Sequence, residues 1–121
     1  MSCPVVHFEI IGADGPALQQ FYRELFGWQI QDMPEMSYGA IAPGEGGIGG
    51  GIGQEEGPAV RVYIQVDDLE AELTRIEANG GATVVPPMEI PGVVTFAMFR
   101  DPAGNTIGLV KNQGDAAASA T

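Results

Sequence analysis

His7 and Glu9 stand two residues apart in the segment PVVHFEII, and that spacing puts both side chains on one face of an extended chain. A histidine beside a carboxylate is a candidate general base with its partner. The carboxylate orients the imidazole or raises its pKa towards neutrality. His7 is the only histidine in the sequence, and a lone strand histidine is equally well a hydrogen-bonded structural residue. A second polar row, Arg61, Tyr63 and Gln65, alternates with Val62, Ile64 and Val66 in VRVYIQV. On the solvent side of a sheet such a row has no task. Lining a pocket, Arg61 holds a carboxylate, enolate or phenolate, and Tyr63 offers a ring and a hydroxyl. The residues alone leave both readings open.

The surrounding patterns supply the elements. Pro4 to Ile11 alternates as a strand, and Pro16 to Phe26 carries Leu18, Phe21, Tyr22, Leu25 and Phe26 at helical spacing. Asp14 suits the N-cap, Pro16 the first turn and Gly27 the stop. Trp28 to Ile30, Tyr38 to Ala42 and Ile48 to Ile52 are short strand candidates, and Val60 to Val66 is the clearest strand. Asp67 and Asp68 then cap a helix with Leu69, Leu73 and Ile76 on its apolar stripe, ended by Asn79, Gly80 and Gly81. Strands over Thr83 to Val85, Val93 to Phe99 and Thr106 to Lys111 follow. The last two form a hairpin about the turn DPAGN at 101 to 105. The tail 114–121 has nothing to bury and is expected to be disordered.

The stretch GEGGIGGGIG at 44 to 53 contains one G-x-G-x-x-G, but no helix follows it, so it is no dinucleotide fingerprint. Its glycines suit a close approach to a ligand or partner subunit, or a mobile hairpin. Trp28, Met33, Met36 and Tyr38 cluster around the preceding loop as core or dimer interface, or as a flexible wall for a flat apolar ligand. Phe96, Met98 and Phe99 leave open which face of their strand points inward.

Composition narrows the class. The chain has 121 residues, 5 basic against 16 acidic, and a formal net charge of −11. Five scattered basic residues make no stripe for nucleic acid and no patch for anionic membranes. Cys3 is the only cysteine, so no intramolecular disulfide is expected. Glu9 interrupts the N-terminal apolar run, and no stretch approaches the ~20 apolar residues of a membrane span. A soluble cytoplasmic protein is expected.

The element order, strand, helix, strands, then strand, helix, strands, is an internal repeat. Leu18, Tyr22 and Leu25 precede Leu69, Leu73 and Ile76 by a constant 51 positions. Each half covers one sheet face with its helix, and two half-sheets together enclose a cleft. With HFEI at 7 to 10, QFYRELFGW at 20 to 28, VDDLEAE at 66 to 72 and FRDPAGNTIGL at 99 to 109, the sequence resembles the vicinal oxygen chelate superfamily. That group holds glyoxalase I, the extradiol dioxygenases and the bleomycin and fosfomycin resistance proteins.

The resemblance implies an α+β fold: one glyoxalase-like domain over 1–113, built from tandem βαβββ modules at about 4–53 and 59–111. Their curved mixed sheets surround the cleft. It also implies a homodimer and, often, a divalent metal. His7 matches the first-strand ligand position. Arg61 falls where the second half usually supplies a histidine, and a guanidinium does not bind a metal. Gly108 falls where the last strand usually supplies a glutamate, and the remaining position offers only Glu55 or Glu56. No metal and no cofactor are therefore expected.

The leading expectation is a metal-independent small-molecule binding protein for an apolar or aromatic ligand, with antibiotic binding or sequestration as the nearest comparison. His7, Glu9, Tyr38, Arg61, Tyr63, Gln65, Phe96 and Met98 are its expected ligand-binding residues. The alternative is a glyoxalase-like lyase or isomerase with His7 and Glu9 as acid–base groups, with or without a metal.

Overall fold

The computed structural model of the chain describes residues 2–112. The tail expected to be disordered, 114–121, lies outside the described residues. Among these the order is β1 (Val5–Gly12), α1 (Gly15–Phe26), β2 (Ile30–Met33), β3 (Tyr38–Ile41), β4 (Gly49–Gln54), β5 (Ala59–Val66), α2 (Leu69–Ala78), β6 (Ala82–Ile90), β7 (Val94–Arg100) and β8 (Thr106–Lys111). A single 3-10 turn, Pro34–Met36, precedes β3. Strand, helix and three strands thus occur twice, which is the expected α+β repeat.

The chain divides into two units, Val6–Arg61 and the residues from Val62 onward with the chain start through Val5. Strand order is β2-β3-β4-β1 in the former and β5-β8-β7-β6 in the latter. In both, the repeat's first strand pairs in parallel with its last, and the other strands pair antiparallel. Both helices start as the sequence dictates. Asp14 accepts from the Ala17 amide and Asp68 from the Ala71 amide, each at 3.1 Å. Gly27 ends α1 in the left-handed region at φ 68°.

In the Val62 unit the stripe Leu69 and Leu73, with Ile76 beside it, packs on Val66, Ala97, Phe99 and Leu109. The β6 strand runs further than Thr83 to Val85, through Pro86 and Pro87 to Ile90. It lies at the end of the strand order, and its register against β7 shifts between Thr83 and Met88. A terminal strand with a bulge is where proline is tolerated, because its missing N–H breaks no ladder.

The Val6–Arg61 unit departs from expectation at its helix. The apolar stripe of α1 is mostly not the face that docks. Gly15 and Gln19 are the buried residues, whereas Phe21, Leu25 and Phe26 are exposed. Gln19 survives burial by hydrogen bonding, donating to Asp32 Oδ1 at 3.3 Å and accepting from Arg23 at 3.1 Å. Only Leu18 and Tyr22 join the core of Ile30, Ile41 and Ile52, together with Phe8, Ile10 and Trp28. Trp28 is not in a strand; its ring stacks on Tyr22, centroids 4.9 Å apart.

In the glycine-rich stretch the strand candidate Ile48 to Ile52 corresponds to β4, which pairs antiparallel with β3; residues 49 to 53 are buried, between β3 and β1. Its glycines give room to side chains from the flanking strands, as the site shows.

Candidate functional site

On β1 the alternation separates two faces. Phe8 and Ile10 enter the core under α1, so His7 and Glu9 point to the other side of the sheet. Glu9 is in register with Gly51 on β4, and Gly51 is in turn opposite Ala40 on β3. Strands lie ~4.8 Å apart, so a β3 side chain reaches β1 only by crossing β4. Tyr38 does so. A Cβ on Gly51 would coincide with the Tyr38 hydroxyl, so the absence of a side chain at 51 is what opens the passage.

The hydroxyl ends between His7 and Glu9, donating to Glu9 Oε2 at 3.0 Å and lying 2.9 Å from His7 Nε2. It has one proton, so with that proton on Glu9 the His7 Nε2–H donates to the hydroxyl. His7 and Glu9 are joined through Tyr38. The sequence-based reading, in which the carboxylate raises the imidazole pKa, meets a larger opposing effect. Burial lowers the His7 pKa below its ordinary value, and the Glu9 charge offsets this only in part. At neutral pH the imidazole is uncharged.

Arg61, at the start of β5, closes the line. Its Nη1 stands 3.7 Å from Glu9 Oε1, and its Nη2 donates to both Glu55 oxygens at 2.8 Å. Glu55 follows β4 directly. In the sequence Glu55 stands out only as a substitute metal ligand. Its pairing with Arg61 has no signal in the repeat, because the contact depends on where the chain leaves β4.

Tyr63, Gln65, Phe96 and Met98 belong to the other unit. There Ala97 and Phe99 face the α2 core, so Phe96 and Met98 take the opposite sheet face, which settles the ambiguity of that strand. Gly108 is in register with both Tyr63 and Met98, and the Tyr63 ring lies where a Gly108 side chain would begin. Gln65 and Phe96 are both in register with Val110. The four side chains share the face away from α2.

The donor set does not fit a divalent ion. Such an ion wants three or more protein donors, and among the described residues no three His, Cys, Asp or Glu side chains group to hold one. A guanidinium stands against Glu9, and the Tyr63 ring fills the place of a side chain at 108. Among the described residues no buried side-chain nitrogen or oxygen lacks a hydrogen-bond partner.

Comparison with known proteins gives the family and the fold. The sequence profile of the Glyoxalase/Bleomycin resistance protein/Dioxygenase superfamily matches residues 5–109. The anthracycline biosynthesis protein DnrV of Streptomyces peucetius is 31% identical over 117 residues, covering 80% of this chain and 42% of that protein. A glyoxylase-like domain-containing protein of Didymella fabae is 29% identical over 126 residues, covering 91% and 98%. The chain spans only 41% to 42% of the length of the bacterial curated relatives. In fold it is similar to the hypothetical protein BH1468 from Bacillus halodurans C-125, with TM-score 0.73 at 14% identity over 95% of this chain and 98% of that one. No helix among the described residues is long and apolar enough to cross a membrane.

Proposed function

Since the chain belongs to the glyoxalase/bleomycin resistance protein/dioxygenase superfamily, we propose that it is a metal-independent binding protein for a small apolar or aromatic molecule, acting as a homodimer. The observation that carries this is the line His7, Tyr38, Glu9, Arg61, held by hydrogen bonds and ion pairs over the gap left by Gly51. A few fixed polar groups that orient a ligand beside apolar and aromatic surface are the ordinary make-up of a binding site. His7, Glu9, Tyr38 and Arg61 are the polar groups of this one. In the Val62 unit, Tyr63, Gln65, Phe96 and Met98, which share the face away from α2, are proposed as ligand-binding residues in their own right. The name of DnrV connects that relative with anthracycline biosynthesis, which makes a flat polycyclic ring system the class to test first.

Calorimetric titration with polycyclic aromatic polyketides is the test. A dissociation constant in the micromolar range is expected, with Tyr38→Phe weakening it by about tenfold, the worth of one hydrogen bond to a charged network. Absence of binding across polyketides and metabolite acids would refute the proposal.

A second reading, a lyase or isomerase, is favoured by the uncharged state of His7. A neutral imidazole carries one basic nitrogen. It would take a proton from an acidic carbon of the substrate and return it to the neighbouring carbon or oxygen, with Tyr38 passing the imidazolium charge towards Glu9. His7→Ala separates the readings. A binding protein loses about as much affinity as with Tyr38→Phe and has no turnover to lose, while an enzyme loses turnover even at ligand concentrations that saturate the variant.

A further inference from the structure

We propose that Glu55 is a built-in stand-in for an anionic group of the ligand, so that the site takes molecules bearing a carboxylate or enolate and Glu55 sets how strong that anion must be. The inference rests on reading the His7 to Arg61 line as a small-molecule site. Arg61 has an inner and an outer carboxylate. The inner one, Glu9, is 12% exposed at the side chain and the outer one, Glu55, is 53% exposed, while Arg61 itself is 10% exposed.

The two are unequal partners. Withdrawing Glu9 would leave an uncompensated buried charge. Withdrawing Glu55 moves one oxygen pair into solvent, and exposed ion pairs contribute little. The Glu55 contact also places both oxygens on the single nitrogen Nη2. The stronger arrangement for arginine and a carboxylate is a fork of two parallel bonds from two nitrogens.

Nothing in the backbone needs to move for the exchange. The Glu55 amide is tied to the Gly12 carbonyl at 3.1 Å, so rotation of the side chain alone uncovers Nη2. The exchange leaves Arg61 with one inner and one outer anionic partner, as before. A ligand anion that replaces Glu55 restores the same pairing on Arg61, whereas a neutral ligand has no such gain.

Benzoate and its neutral counterpart benzamide are suitable probes, titrated by calorimetry and chemical shift at low ionic strength into the wild type, Glu55→Gln and Glu55→Ala. Benzoate is expected to bind both variants about three- to fivefold more tightly than the wild type, the effect of removing one competing exposed ion pair. Benzamide affinity is expected to stay the same. Equal benzoate affinity in all three proteins, an equal gain for benzamide, or no benzoate binding by any of them each overturns the inference. If polycyclic ligands still bind the wild type in that case, the inference alone has failed and the site reading stands. The exposed position of Glu55 keeps both variants folded, which matching thermal unfolding curves verify.

Discussion

His7 is the residue on which burial and charge pull in opposite directions, and burial wins. Its folded pKa lies below the unfolded value of about 6.5. Between those two values the unfolded chain binds a proton that the folded chain does not. Stability is therefore complete above about pH 6.5 and falls as pH drops towards the lowered folded value. As the only histidine, His7 gives a single imidazole resonance to follow. Its NMR midpoint is expected below 6.5, and Glu9→Gln should lower it further by removing the charge that opposes burial. A rise in Glu9→Gln would contradict the assigned balance. Gly51→Ala tests the same site from β4. Its Cβ takes the place of the Tyr38 hydroxyl, so the ring must leave, with an expected loss of about 1–3 kcal/mol in urea unfolding and a displaced His7 resonance.

At the level of elements, the two helices look alike in sequence and pack differently. Leu25 and Leu73 both sit on an apolar stripe, yet Leu73 is 6% exposed and Leu25 is 61% exposed. Leu73→Ala is expected to cost about 2–5 kcal/mol, as core truncations do. Leu25→Ala should stay within about 0.5 kcal/mol, like other exposed substitutions. Equal midpoint shifts in chemical denaturation would refute the difference. The caps Asp14 and Asp68, the stop at Gly27 and the turn at Asp101 were legible because each is a local interaction between near neighbours. The extended reach of β6 was not, since Pro86 and Pro87 read as strand breakers until their place at the end of the strand order is known.

For the whole molecule, the repeat of strand, helix and three strands and the family match over residues 5–109 fix the architecture. They leave the chemistry to the side chains. Protein purified without chelators is expected to carry well under one equivalent of Zn, Ni, Mn or Fe per chain, and its melting temperature should not respond to EDTA. Stoichiometric metal by elemental analysis, or a melting temperature that falls in EDTA as loss of a stabilising bound ion requires, would overturn the metal-independent reading.

Sequence by itself determined the periodicities, the caps, the hairpin turn and the pairing of His7 with Glu9 on one strand face, all set by neighbours within a few residues. It also placed Arg61 and Gly108 at positions where the superfamily resemblance expects metal ligands. Tertiary structure alone decided that Tyr38 crosses over Gly51 to join His7 to Glu9, that Glu55 covers Arg61, and that α1 docks through Gly15 and Gln19. These contacts join residues 29, 31 and 6 positions apart, or one helix to a sheet. Strand order and the space above a glycine govern them, and neither is written in any local pattern.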